Sequence, residues 1–217
     1  LVIGASTTIG QYVIPRVLGD YQAKFPEVTM RLYVTNTLGV IHMVENNEID
    51  VGIVEGPINN KNLVTEVCWQ DELLLVTPPS HALAGPEPVR PDEIMQYPFI
   101  SREEGSGTRQ VISEYLTENK LSFSDMILAM EFGSSESIKS AVAAGLGISI
   151  LSIATLDKEL SLDLLEQTSL TPSLKRPFTI VYQKQKFRLR AMEEFLIFAK
   201  DQCDTVGLRD GQGANSG

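Results

Sequence analysis

The sequence predicts an α/β protein made of two small lobes. Short runs rich in β-branched and apolar residues alternate with longer stretches in which apolar residues recur at helical spacing. The alternation is broken once, at Thr77-Pro78-Pro79-Ser80-His81, and then starts afresh. With 217 residues, 43% of them hydrophobic, the chain can bury the cores of two such units.

Leu1–Gly4 reads as a strand. From Thr8 to about Lys24, Ile14, Val17, Leu18 and Tyr21 fall on one helical face, with Pro15 expected to kink the helix or delay its start. Met30–Val34 is a second strand, Thr37–Asn47 a second helix and Val51–Val54 a third strand, a βαβαβ beginning within a mainly parallel sheet. Val64–Trp69 and Leu73–Val76 read as two strands. Beyond the Pro-containing connector come strand Phe99–Ile100, helix Gly107–Asn119, strand Leu128–Phe132, helix Ser135–Ala144 and strand Ile148–Leu151. A late strand, Phe178–Gln183, and an amphipathic helix, Leu189–Cys203, complete the pattern. The residues from Gly207 onward have almost nothing to bury and are expected to be disordered. Lobes joined near Val76–Pro79, with the chain returning near Arg176–Phe178, fit this order.

Charge narrows the function. A net charge of −10 argues against this segment gripping nucleic acid, because neutralising phosphates takes clustered Lys and Arg. The densest basic run, Lys184 to Arg190, is short and reads as the solvated start of a helix. Cys68 and Cys203 lie far apart with no CxxC spacing, so metal and redox chemistry are not expected; two unpaired thiols fit a reducing cytoplasm. No apolar stretch is long enough to cross a bilayer, and because the sequence opens on Leu1-Val2-Ile3-Gly4 with no basic region, a secretory signal is not expected. The start without Met is that expected of a fragment cut at the start of a domain, or of a processed protein whose first segment is gone.

Ligands of open α/β sheets bind where strands end and helices begin. Four such junctions stand out. Ser6, Thr7 and Thr8 offer three hydroxyls beside unpaired helix N–H groups; capping accounts for one hydroxyl, not three. Ser101-Arg102-Glu103-Glu104-Gly105-Ser106-Gly107-Thr108-Arg109 combines hydroxyls, two glycines that permit close backbone approach, and two arginines able to pair with an anion. Capping of a flexible loop is the alternative there, and Glu103 and Glu104 would repel an anion if they faced it. Ser134 and Ser135 form the third junction, equally well explained as a cap. Glu55-Gly56-Pro57, the fourth, reads foremost as a turn.

Catalysis finds little support. His42 falls on an amphipathic stretch and His81 in the connector; no Gly-x-Ser-x-Gly elbow, HExxH or P-loop occurs. No cofactor and no metal site is expected.

At these residues the chain resembles the effector-binding domain of LysR-type transcriptional regulators. The resemblance rests on Ile3-Gly4-Ala5-Ser6 leading to Ile14-Pro15, on Phe25-Pro26-Glu27-Val28, and on Glu48-Ile49-Asp50-Val51-Gly52-Ile53-Val54. It continues through Leu74-Leu75-Val76, Pro78 and His81-Ala82-Leu83 to Val142-Ala143-Ala144-Gly145-Leu146-Gly147-Ile148, so that it spans Leu1 to about Cys203. Each piece is weak alone; their order and spacing are specific.

The resemblance implies two Rossmann-like lobes hinged by crossover strands, as in type 2 periplasmic binding proteins. Lobe I comprises residues 1–77 and 176–205, lobe II residues 78–175, and 206–217 are a disordered tail. It implies a small anionic effector, a sulfate- or phosphate-like oxyanion or a small carboxylate, bound between the lobes. The residues carried over are Ser6, Thr7, Thr8, Ser101, Arg102, Ser106, Gly107, Thr108, Arg109, Ser134 and Ser135. It further implies a cytoplasmic regulator whose DNA contact belongs to an N-terminal helix-turn-helix outside this chain. The expected assembly is a side-by-side homodimer, with the first helix near the Ser135–Ala144 helix of its partner, and a tetramer at full length. A periplasmic oxyanion-binding transport protein shares this fold and site logic and is the alternative; an enzyme of the same fold ranks below it.

Overall fold

The computed structural model describes residues 1–56, 58–184 and 190–205, the side chains of the last four apart. Pro57, most of the basic run and the tail from Gly207 lie outside the described residues.

β1 (Val2–Ser6) leads into a π-helical turn, Ile9–Val13, which runs on into α1 (Ile14–Lys24). Pro15 explains the wide turn. It has no N–H to close an α-type bond, and the Ile14 N–H reaches back five residues to the Ile9 carbonyl. β2 (Arg31–Thr35), α2 (Thr37–Glu45) and β3 (Val51–Glu55) follow. Asn36 starts α2 by accepting the Gly39 N–H at 2.9 Å. β4 (Leu63–Thr77) is one strand of fifteen residues where the sequence suggested two; a bulge between Val67 and Trp69 interrupts its apolar alternation.

The second series comprises α3 (Pro91–Ile94), β5 (Phe99–Arg102), α4 (Gly107–Glu118), β6 (Leu128–Phe132), α5 (Ser135–Ala143) and β7 (Ser149–Ser152). α6 (Asp157–Ser161) and β8 (Glu166–Thr168) are too short to leave a periodic signal. β9 (Leu174–Gln183) and α7 (Arg190–Thr205) return the chain.

The large sheet has the order β2-β1-β3-β9-β4-β7, with β8 on β4; β5 and β6 pair separately. In the large sheet parallel pairing is limited to β2-β1-β3; elsewhere β5 and β6 pair in parallel, with single parallel bridges at Val89–Leu170 and Phe99–Ile148, so the expectation of a mainly parallel sheet is corrected. β9 and β4 are antiparallel because the chain doubles back along the strand on which it left.

Those two long strands serve two cores. Trp69, Phe178, Ile180 and Tyr182 pack with Ile3, Ile14, Tyr21 and Phe195. Leu73, Leu75 and Leu174 pack with Phe99, Ile112, Leu116 and Ile148. In the first core Tyr21 meets Phe195 and Phe198 edge-on, each at 5.4 Å, which docks α7 onto α1. Cys68 on β4 lies in this core and is disulfide-bonded, so the expectation of an unpaired thiol there is corrected. Among the described residues no helix is long and apolar enough to cross a membrane.

Candidate functional site

Where β4 and β9 pass from one core to the other, Asp71 and Arg176 are register partners. Arg176 is wholly buried and donates Nε to Asp71 Oδ2 at 2.8 Å. Its Nη1 donates to Glu55 Oε2 and to the Thr108 hydroxyl, both at 2.8 Å. Asp71 also accepts the Ser152 hydroxyl at 2.7 Å. The crossing point of these strands is therefore a buried polar network between apolar clusters.

Glu55 ends β3 and is 2% exposed. Its Oε1 accepts the Ser6 hydroxyl at 3.2 Å and the Thr8 N–H at 3.1 Å; its Oε2 accepts the Thr108 hydroxyl at 2.9 Å as well as Arg176. Burial alone would push this carboxyl up. The Arg176 charge, the Thr8 N–H, the Arg102 charge and the Thr108 hydroxyl together outweigh burial and hold it below its ordinary value. Two carboxylates share one guanidinium, and Asp71 is the loser: burial foremost keeps its carboxyl above the ordinary range, and the charge of Glu55 adds to this.

Gly107 makes the approach possible. A Cβ there would lie 2.6 Å from Thr37 Oγ1 and 2.7 Å from the Glu55 carbonyl oxygen, so only glycine lets α4 begin against β3. Other bonds cross the same cleft. The Leu38 N–H donates to the Gly105 carbonyl at 3.1 Å, and Asn36 Nδ2 to the Glu104 carbonyl at 3.3 Å. Farther out, the Tyr12 hydroxyl on the π-helical turn donates to Glu136 on α5.

Arg102, at the end of β5, is 3% exposed and donates Nη2 to the Thr7 hydroxyl at 3.3 Å. Its Nε and Nη2 also hold Glu103, at 2.8 and 3.0 Å. Among the described residues Arg102 Nη1 has no hydrogen-bond partner although it is buried, and the same holds for Thr37 Oγ1 and Arg176 Nη2. Buried polar atoms are nearly always paired, and Trp69 Nε1, Thr77 Oγ1 and Gln167 Oε1 are orphaned as well; Arg102 Nη1 belongs to a guanidinium that also bonds Thr7 of the first series of elements. Beside the cleft a pocket of about 410 Å³ opens between Thr37, Ile41 and Ile58 on one wall and Ser106, Arg109 and Gln110 on the other. A groove of about 520 Å³ near Glu45, Lys61 and Gln183 holds none of the residues singled out from the sequence.

The sequence-derived residues thus divide. Ser6, Thr8 and Thr108 converge on Glu55, Gly107 abuts it, and Thr7 meets Arg102. Ser106 caps α4 through the Arg109 N–H at 3.5 Å and lines the pocket. Arg109 lines the pocket too, but its guanidinium goes to Glu131 and stacks over Phe123 at 5.1 Å. Ser101 donates to the Arg102 carbonyl, Ser134 caps α5, and Ser135 is buried in its first turn. Sequence reasoning missed Asp71 and Arg176 and read Glu55 as a turn. No local pattern marks the first two, whereas the place of Glu55 at a strand's carboxyl end was the signal for the third.

The family model for the LysR substrate binding domain matches residues 1–204. The chain is 35% identical over 207 residues to the uncharacterized HTH-type transcriptional regulator YeiE of Escherichia coli K12, covering 95% of this chain and 68% of that protein. It superposes with a TM-score of 0.87 on the Synechocystis PCC6803 CcmR regulatory domain in complex with 2-PG, at 29% identity, covering 95% of this chain and 98% of that one. The effector binding domain of QuiR in complex with shikimate superposes at 0.85, covering 95% and 98%; at 18% identity this likeness speaks for the fold alone.

Proposed function

The chain belongs to the LysR substrate-binding domain family of transcription regulators, and from that premise we propose that its effector is a small oxyanion or carboxylate held between the two cores. The observation that carries the reading is Arg102. It is buried, reaches across the cleft to Thr7, and has an unpartnered guanidinium nitrogen. A guanidinium in that position favours an anion offering paired oxygens. The 2-PG bound to the CcmR domain fits the same chemical class.

In this reading residues 1–77 and 176–205 form one lobe and 78–175 the other. The effector biases their relative arrangement by its differential affinity for the two states, with a coupling on the order of 1–3 kcal/mol. The output is control of DNA binding by a helix-turn-helix outside this chain, which places the protein in the cytoplasm. The functional unit is a homodimer, and a tetramer at full length. Apolar residues exposed on two edge strands, Tyr33 and Val34 on β2 and Leu128 and Met130 on β6, support the side-by-side dimer. The matches are to regulators, which sets the transport alternative aside.

Thermal melting against sulfate, thiosulfate, phosphate, phosphoglycolate, phosphoenolpyruvate and O-acetylserine tests the ligand class. One of them, at about a hundred times its Kd, is expected to stabilise the fold by roughly 2.7 kcal/mol in a saturable way. If none exceeds chloride at equal ionic strength, the anion reading falls.

A further inference from the structure

The anion site proposed above already holds a carboxylate from the neighbouring residue. Resting on that reading, we propose that Glu103 is an internal competitor for the effector: an incoming oxyanion binds Arg102 by exchange with Glu103, not by addition beside it.

The two arginines of the cleft differ in one respect. Both carboxylates on Arg176 are sealed in, with side chains no more than 2% exposed. The carboxylate on Arg102 is not: the arginine side chain is 2% exposed and that of Glu103 is 24% exposed. Glu103 covers Nε and Nη2 with its two oxygens at 2.8 and 3.0 Å, the fork geometry by which arginine binds any two-oxygen anion. Its backbone is fixed, the N–H donating to the Phe132 carbonyl at 3.2 Å, so rotation of the side chain alone moves the carboxylate into solvent. Arg102 meanwhile stays tied to Thr7 and keeps Nη1 unpartnered.

Charge favours exchange. Arg102 and Arg176 bring two positive charges; Glu55, Asp71 and Glu103, ionised, bring three negative ones. An anion added beside Glu103 would meet a like charge at close range. If Glu103 leaves first, two arginines face two carboxylates, and the newcomer takes over the pairing that Glu103 gave up. The ligand head implied is an oxyanion with two oxygens at carboxylate-like spacing. A halide, a single point of charge, does not replace both bonds.

The test titrates the 217-residue chain with sodium sulfate against sodium chloride at constant ionic strength, reading the melting temperature and the heat of binding. Wild type, Glu103→Gln, Arg102→Ala and the double variant are compared. Glu103→Gln is expected to bind sulfate about tenfold more tightly, and the double variant to lose that gain. A silent wild type with a responsive Glu103→Gln supports the proposal equally. It is overturned if Glu103→Gln binds no better than wild type, if both are silent, or if the gain survives without Arg102. Should Arg102→Ala abolish the wild-type response while Glu103→Gln changes nothing, exchange fails and the anion site stands. Should Arg102→Ala leave the wild-type response intact, the site itself is wrong.

Discussion

Thr108, the second residue of α4, donates its hydroxyl to Glu55 at the end of β3 across 2.9 Å, and so ties the two cores through a buried carboxylate. Ser6 and Thr108 through their hydroxyls and Thr8 through its backbone N–H, residues expected from the sequence to hold an effector, meet a carboxylate of the same protein here. The structure is consequently held across its cleft by the kind of contact an effector would make.

Glu55→Gln should be strongly destabilising. The amide puts an NH₂ where Glu55 now accepts only from donors, and it leaves Arg176 with Asp71 as its one charged partner. Breaking a buried pair from one side costs about 3–5 kcal/mol, far more than the net value of the pair. Urea unfolding measures it; a loss under about 1 kcal/mol would mean the network relaxes around the amide.

The difference between wild type and Glu55→Gln should depend on pH in one direction. The folded Glu55 carboxyl is held below its ordinary value of 4.5, so its stabilisation is fully present above that value and is lost as pH falls through the folded one. The gap is expected to be flat near neutrality and to close in acid. Asp71, whose carboxyl is raised foremost by burial, works the other way and favours the fold on acidification, which blunts the wild-type loss. A gap that widens in acid would contradict this assignment.

How much of this was legible depends on sequence distance. The strand Leu128–Phe132 and the helix starts at Thr37, Gly107 and Ser135 follow from local periodicity and caps, and the structure places them there. The strand-to-helix junctions were visible for the same reason. The network behind them was not. Arg176 lies 121 residues from Glu55 and 105 from Asp71, and no spacing rule links partners brought together by strands passing between two cores. Arg109 shows a different limit: its place at a helix start was legible, but its contacts with Glu131, Phe123 and the Arg102 carbonyl come from the fold and not from its position in the loop.

The two arginines of that loop should therefore separate. Arg109→Ala removes a partly exposed pair with Glu131, a stacking contact with Phe123 and a long hydrogen bond, 3.4 Å, to the Arg102 carbonyl, and should cost no more than about 1 kcal/mol of stability. Its effect on sulfate-induced stabilisation is expected to be small beside that of Arg102→Ala. Equal effects of the two would move the anion toward the pocket wall formed by Arg109 and Gln110.

The exposed apolar strands give a test of assembly. Tyr33 on β2, the edge of the large sheet, and Leu128 on β6, in the separate two-stranded sheet, are 46% and 47% exposed, so a charge at either costs the monomer little. Tyr33→Glu with Leu128→Glu, which sets like charges against each other across that interface, is expected to shift sedimentation toward a single chain while leaving the melting temperature of the isolated chain nearly unchanged. Unaltered sedimentation would place the interface elsewhere.

Tyr12 links the first helix to the second series of elements by a different chemistry. Burial first, and then its hydrogen bond to Glu136, push its hydroxyl up to about 12, while the nearby Lys139 pulls the other way without winning. Burial pushes Tyr115 up to about 12 as well, and its hydroxyl donates to the Pro172 carbonyl at 2.8 Å. A rapid pH jump read at the tyrosinate absorbance, before alkali unfolds the chain, should show a late-ionising fraction that Tyr12→Phe diminishes. Because Glu136 is more than half exposed, losing the hydroxyl should cost only about 1 kcal/mol. If the late fraction persists unchanged in Tyr12→Phe, Tyr12 ionises with the solvent-facing tyrosines, and its bond to Glu136 does not bridge the cleft in solution.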